Sequence, residues 1–173
     1  MSKIPSEKEC IDLLKKYNCS KSVIKHSIAV KNLAVKIAEK TDANVELVTA
    51  GALLHDIGRC KTHGIFHAVE GVKIAKKEEL PKQIINIIER HIGAGLSKEE
   101  AKKLGLSEKE YIPVSLEEKI VCHADNLIDN SIRQNIEIEV ERALKEGHKE
   151  YALRLVQLHK ELSNIYGEDL NKI

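Results

Sequence analysis

Apolar residues recur with a helical period along almost the whole chain. None of its segments shows the two-residue alternation, or the Val, Thr and aromatic richness, that is typical of a half-buried strand. Capping boxes mark several helix starts, because Ser6, Ser97 and Ser115 are each followed three residues later by a glutamate. The pattern therefore predicts an all-α fold. The expected helices cover residues 7–17, 21–40, 45–56, 66–78, 82–91, 98–104, 116–129, 137–146 and 148–165.

The pattern gives no sign of an internal division. The sequence has no long linker rich in proline, glycine or serine, no internal repeat and no low-complexity tract. We therefore expect a single helical domain over residues 1–173, a length that allows a substantial core. The last two predicted helices are amphipathic, so they are expected either to close the bundle or to form a homodimer contact.

Polar side chains interrupt the most apolar segment of the chain. His55 and Asp56 stand inside residues 50–58, whose other members are typical of a buried helix. His26 lies on the apolar stripe that begins at Val23, so the period turns it toward the core as well. The helical period also assigns three further polar residues to core-facing positions: His67, His91 and Asp125.

Buried carboxylates of this kind need a partner. An unpaired carboxylate in a low-dielectric interior costs several kcal/mol, and a divalent cation would satisfy Asp56 and Asp125 together beside the four imidazoles. Imidazole and carboxylate ligands suit Fe, Mn, Co, Ni or Zn. The rival explanation is an internal network in which the histidines neutralise the aspartates without a metal.

Composition limits the partners of the protein. The 28 basic and 27 acidic residues nearly cancel, so the balance does not favour a nucleic-acid polymer or a membrane surface. No apolar run reaches the length of a membrane span, and the N-terminus has no signal-peptide core, so we expect a cytoplasmic protein. The four cysteines form no CxxC pair and are expected to be small buried residues, which argues against a structural zinc site with cysteine ligands.

The spacing of the polar residues resembles that of the HD superfamily of metal-dependent phosphohydrolases. The resemblance depends on His26, on the HDIG sequence at 55–58 and on Asp125 within CHADNL. It covers about residues 20–130 and leaves a C-terminal helical extension at about 131–173. It implies an all-α bundle that holds one divalent metal with four ligands: His26, His55, Asp56 and Asp125.

Some branches of that family hold a second metal with two more histidines. The segments FHAVEG and ERHIGAG are similar to those that carry these histidines. The resemblance therefore implies that His67 and His91 are ligands of a second metal, with Asp56 bridging both metals. One or two divalent metals per chain are therefore expected. The chain departs from the cyclic-di-GMP phosphodiesterases of the family, because it has a single histidine in RHIGAG and no GYP element.

The resemblance implies hydrolysis of a phosphomonoester or phosphodiester by metal-bound hydroxide, with His55 and Asp56 at the catalytic centre. Arg59 and Lys61 follow in sequence and are candidate contacts for a substrate phosphate, although a basic residue in a loop is usually solvated. One Phe, four Tyr and no Trp offer no evident stacking platform, which favours a small nucleotide-like substrate over a polymer. The alternatives are a non-catalytic nucleotide-sensing module and a purely structural metal site.

Overall fold

The computed structural model describes residues 3–173, so the first two residues of the domain expected over 1–173 lie outside the described part. Helices joined by short loops make up most of this part, which confirms the all-α prediction. The helices are α1 (Glu7–Lys16), α2 (Lys21–Ala38), α3 (Val45–Leu54), α4 (His67–Lys77), α5 (Lys82–Arg90), α6 (Lys98–Lys103), α7 (Leu116–Asn126), α8 (Ile136–Lys145) and α9 (Lys149–Tyr166). Shorter elements are the 3-10 turns Ile57–Cys60 and Leu170–Lys172 and the strands β1 (Ile128–Asp129) and β2 (Ile132–Arg133).

Side-chain caps begin several of these helices. The predicted capping boxes at Ser6 and Ser97 both form. At Ser115 the hydroxyl accepts a hydrogen bond from the amide of Glu118, but the Glu118 carboxylate accepts one from the Arg90 guanidinium at 2.9 Å. The glutamate of this third box therefore ties α7 to the end of α5, and each of these two helices carries one predicted metal ligand at its C-terminal end.

Most apolar faces of the helices meet in a main core around α3, and a smaller buried cluster forms around Leu96, Leu106 and Tyr111. Seven of the ten residues of α3 are buried. The buried apolar cluster around it extends from Cys10 in α1 to Leu170 near the C-terminus. All four cysteines are free thiols, and Cys60 alone among them is half-buried rather than buried. No helix within residues 3–173 has the length and apolar character that a bilayer crossing requires.

The predicted helix over 116–129 is too long at its C-terminal end. α7 ends at Asn126, and β1 and β2 then pair as an antiparallel hairpin. The register pairs Ile128 with Arg133 and Asp129 with Ile132. The turn between the strands contains Asn130 with a φ of 56°, a left-handed conformation that asparagine adopts more readily than most residues. This turn brings the carbonyl of Asn130 to the ring of His26.

The C-terminal extension is fastened to α7. α9 packs against both α8 and α7. His123 in α7 and His159 in α9 are buried, and their ring nitrogens are 2.9 Å apart. The other ring nitrogen of His159 lies 2.9 Å from a carboxylate oxygen of Asp169. The extension is therefore held against the bundle by buried polar contacts as well as by apolar packing.

The glycine of the HDIG sequence allows a close approach between two segments. Gly58 lies in the 3-10 turn that follows Asp56, and this turn packs against the first turns of α4. A Cβ atom at Gly58 would overlap the carbonyl oxygen of His67 and lie 2.5 Å from the amide nitrogen of Gly71. The absence of a side chain at Gly58 thus sets the distance between Asp56 and the helix that begins at His67.

We expect Gly58→Ala to lower the free energy of unfolding by about 3 kcal/mol, the upper end for overpacking, because main-chain atoms cannot rotate away from the added methyl group. Gly64→Ala is the matched control, since a Cβ atom there meets nothing within 4 Å, and it should change stability by less than about 1 kcal/mol. Chemical denaturation of the two variants measures both effects. Equal stabilities would show that the two segments can separate without cost.

Candidate metal centre

The structure brings the six predicted ligands together. The middle of α2 supplies one, the residues after α3 supply two, and the start of α4, the end of α5 and the last turn of α7 supply one each. His26 comes from α2, and His55 and Asp56 follow α3. His67 begins α4, His91 follows α5, and Asp125 lies in α7. The helical period placed four of them at core-facing positions, whereas His55 and Asp56 were identified by their apolar neighbours.

The carboxylate of Asp56 lies between two halves of this cluster and is only 2% exposed. Its Oδ2 atom is 3.7 Å from Nε2 of His26 and 3.7 Å from Nε2 of His55. Its Oδ1 atom is 3.1 Å from Nε2 of His67 and 3.3 Å from Nε2 of His91. One carboxylate thus presents an oxygen to each half of the cluster.

Asp125 belongs to the half of the cluster that contains His26 and His55, which we call the first half; the second half contains His67 and His91. The Oδ1 atom of Asp125 is 2.9 Å from Nε2 of His26 and 3.5 Å from Nε2 of His55. One donor atom from each of these three residues lies within 4.8 Å of the other two. The same condition holds for His55, Asp56 and His91, a group that joins the two halves. In the second half, Oδ1 of Asp56 and the Nε2 atoms of His67 and His91 lie within 3.3 Å of one another. Each half therefore has the dimensions of a site for one cation.

All four imidazoles are oriented by main-chain carbonyl groups. The contacts of their Nδ1 atoms are with Asn130 O for His26 (2.6 Å), Ala52 O for His55 (2.6 Å), Gly64 O for His67 (2.8 Å) and Ile88 O for His91 (2.8 Å). A carbonyl oxygen can only accept, so each Nδ1 donates its hydrogen and the neutral ring carries its lone pair on Nε2. Outer contacts of this type fix the tautomer of metal-ligating histidines.

The donor atoms fit a divalent transition metal. Within residues 3–173, Nε2 of His55 and Oδ1 of Asp56 are buried without a hydrogen-bond partner. The Nε2 atoms of His67 and His91 are 2.9 Å apart, and two lone pairs that face each other at this separation repel unless a proton or a cation lies between them. With all four rings neutral, a network made of protein alone would leave these atoms unsatisfied, so the geometry favours a metal cage over that rival.

The charges of the cluster act strongly on one another in the metal-free chain. Burial alone would raise the pKa of Asp56, but the charge of His55 and the neighbouring rings of His67 and His91 hold it well below the usual range. Burial alone would lower the pKa of His55, but the carboxylates of Asp56 and Asp125 raise it to about 9. Burial lowers the pKa of His91, which keeps that ring available as a neutral ligand.

An open cavity of about 620 Å³ leads to the first half of the cluster. Arg59 lines it, and its Nε atom donates to Oδ2 of Asp56 at 2.6 Å. His63 lines it as well. Lys61 is exposed and is not among the lining residues, so the structure does not bring its ammonium group to the cavity as the sequence suggested. Lys61 follows the 3-10 turn that carries Arg59, and the sequence alone does not show which of the two basic side chains faces the cavity.

Two parts of the cavity wall were not found from the sequence. The carbonyl of Asn130 orients His26, and the Asp-Asn pair at 129–130 was the only signal for a turn there. Tyr151 and Glu139 line the cavity from α9 and α8. No local pattern marks these two residues, because their position depends on how the extension packs.

Comparisons with known sequences agree with this arrangement. Residues 23–130 match the profile of the family described as HD domain. Over 170 residues the chain is 48% identical to a tRNA (cytidine(56)-2′-O)-methyltransferase of Thermoplasma volcanium, and the match covers 98% of this chain and 50% of that protein. It is 43% identical over 155 residues to an uncharacterized protein of Methanocaldococcus jannaschii, with 85% of this chain and 91% of that protein covered. The chain thus spans about half the length of its methyltransferase-named relative.

A comparison with solved structures gives the same fold. The HD domain of the L. monocytogenes phosphodiesterase PgpH, in complex with cyclic-di-AMP, superposes with a TM-score of 0.57 at 23% identity. The match covers 91% of this chain and 98% of that domain. It includes most of the helices described above, so the bundle is shared well beyond the residues of the metal cluster.

We expect metal binding near neutral pH to release about one proton per chain, because His55 is protonated below a pKa of about 9 in the metal-free protein and must lose that proton to bind. The apparent affinity should rise with pH up to about 9 and then level off. Calorimetric titration with Mn²⁺ in two buffers of different ionisation enthalpy measures the proton count. Equal heats in the two buffers would contradict it.

Proposed function

The chain belongs to the HD domain family, and on that premise we propose that it is a metal-dependent phosphohydrolase. Its substrate would be a phosphomonoester or phosphodiester of a nucleotide or of a similar small metabolite. The observation that carries the proposal is the bridging position of Asp56, which presents one oxygen to each of two groups of imidazole ligands.

The proposed chemistry needs Lewis acids, and the donor set suits Fe, Mn, Co, Ni or Zn. A divalent cation bound here would lower the pKa of a coordinated water and offset the charge that develops on the phosphoryl oxygens. In the proposal, His26, His55, Asp56 and Asp125 hold the first cation, and Asp56, His67 and His91 hold the second. The carbonyl contacts of the four Nδ1 atoms keep the rings aligned.

We assign the substrate phosphate to Arg59. The side chain lines the cavity, is 31% exposed and already reaches Oδ2 of Asp56. A guanidinium group offers two parallel donors that match the spacing of phosphate oxygens. Lys25, on the same wall as His26, adds a second positive charge to the cavity. Both groups would draw the anionic part of a substrate toward Asp56.

Three observations support a nucleotide-like substrate. A cavity of about 620 Å³ is in the range of small-molecule sites. The HD domain of PgpH with a similar fold was solved with cyclic-di-AMP. A relative that contains a region similar to this chain is named for an activity on tRNA, which keeps RNA-derived phosphoesters among the candidates.

A second candidate is a non-catalytic nucleotide-sensing module. The observation that favours it is the relative from Thermoplasma volcanium, whose name describes methyl transfer and of which this chain covers half. In such a protein, an HD domain that binds a nucleotide would regulate a separate catalytic domain. Turnover separates the two candidates, because a sensor binds its ligand without releasing a product.

We expect Asp56→Asn to remove the activity by a factor of about a hundred or more, since even outer partners of metal ligands are worth about 10- to 100-fold. The measurement is product release from a panel of phosphomonoesters and cyclic phosphodiesters with Mn²⁺ or Fe²⁺ added, together with metal content. Asp42→Asn is the matched control, because Asp42 is exposed and should keep full activity. An active Asp56→Asn protein would refute the assignment of the centre. Nucleotide binding by the wild type without any product would favour the sensor.

We expect Arg59→Lys to raise the Michaelis constant about tenfold while the metal content stays unchanged, because lysine keeps the charge but loses the paired donors. Steady-state kinetics on the best substrate of the panel measure the change. A drop in bound metal with an unchanged Michaelis constant would instead make Arg59 a support for Asp56 alone.

A further inference from the structure

Tyr151 joins the wall of the metal-site cavity from outside the region that matches the HD family. It lies in α9, whereas the family match ends at residue 130. Its ring packs so closely on Gly93 that a Cβ atom there would overlap the ring and the hydroxyl group. Gly93 follows His91 by two residues and has a φ of 59°, so a glycine meets both the space and the backbone requirement.

Gly93, on which the Tyr151 ring packs, is hydrogen-bonded to α7, the helix that carries Asp125. The carbonyl of Gly93 accepts hydrogen bonds from Nδ2 of Asn126 at 2.8 Å and from Sγ of Cys122 at 2.9 Å. Both donors belong to α7, which also carries Asp125. The position of the Tyr151 ring is therefore fixed relative to the metal centre, not left to a mobile loop.

The hydroxyl of Tyr151 is free to bind a ligand. Among residues 3–173 it forms no hydrogen bond, although the side chain is partly buried. Burial and the neighbouring carboxylate of Glu139 raise the pKa of Tyr151, so the phenol remains a hydrogen-bond donor in any ordinary buffer.

Glu139 supplies a complementary acceptor. It lines the same cavity, and its side chain is 17% exposed. Its Oε1 atom accepts from Arg142 and Gln134, while Oε2 has no partner within the described part of the chain. A carboxylate repels a phosphate, so this wall does not suit the anionic end of a substrate. It does suit hydroxyl groups, which can donate to a carboxylate and accept from a phenol.

We propose that Tyr151 and Glu139 form a sugar-binding subsite that recognises the hydroxyl groups of a ribonucleotide whose phosphate lies at Asp56. This inference rests on the proposed function for the location of the phosphate. Arg59 and Lys25 then take the anionic end, and the C-terminal extension takes the ribose. The subsite makes the extension a determinant of substrate choice, with the ribose 2′-hydroxyl as the group that it distinguishes.

The test compares ribonucleoside 5′-monophosphates with their 2′-deoxy counterparts, by calorimetric binding and by phosphate release. The wild type should bind the ribonucleotides about tenfold more tightly, the worth of one or two hydrogen bonds. Tyr151→Phe keeps the ring on Gly93 and should abolish most of this preference, with deoxynucleotide binding changed less than about twofold. Glu139→Gln should weaken the preference in the same direction. Tyr166→Phe, at the other end of α9 and outside the cavity lining, should leave it intact.

Two results would overturn the subsite. The wild type could bind both sugar types equally or bind no nucleotide, or Tyr151→Phe could weaken both types to the same extent. Failure of the proposed function has a different signature. If the ribose preference exists and depends on Tyr151, but no phosphate is released with any metal, the subsite stands and the protein is a sensor. If an aryl phosphate is hydrolysed without any ribose preference, the hydrolase stands and the subsite falls.

Discussion

A buried carboxylate surrounded by imidazoles is the constraint on which the rest of this structure depends. Asp56 is 2% exposed and lies within 3.7 Å of an Nε2 atom from each of four histidines. An isolated carboxylate at this depth would cost several kcal/mol. The bundle tolerates it because five helix segments each deliver a polar side chain to the same point. Packing that brings these segments together is therefore inseparable from the chemistry of the site.

Three of the four histidines are oriented locally, and the fourth is not. His55, His67 and His91 each place Nδ1 on the carbonyl three residues earlier in the chain, so the helix end or turn that carries the ring also aims it. His26 depends on Asn130, which is 104 residues away. In the first half of the centre, the orientation of His26 therefore depends on the β1–β2 hairpin. In the second half, main-chain carbonyls three residues earlier in the chain orient His67 and His91.

Helical periodicity was sufficient to predict the fold class, the approximate placement of the helices and the inward direction of four cluster residues, while the apolar neighbours of His55 and Asp56 indicated the other two. It succeeded because a side chain's face on a helix follows from its position alone. The hairpin after Asn126 was missed, since its strands are two residues long and no alternation can develop. The position of Lys61 outside the cavity lining could not be predicted either, because no helical stripe extends past the short 3-10 turn that precedes it. Tyr151 and Glu139 could not be found, as their place in the wall follows from packing between distant segments.

The division between the matched region and the extension has a physical meaning. Every member of the Asp56 cluster lies within residues 23–130, where the family match falls, and the short distances from Asp56 to the surrounding histidines join the helices of that part of the bundle. The α8 and α9 residues that reach the cavity, Glu139 and Tyr151, are not members of this cluster. They meet the core through Gly93, whose carbonyl is held by α7. The cluster and the outer wall of its cavity are therefore built by segments that share a contact through Gly93 but no side chain of the cluster.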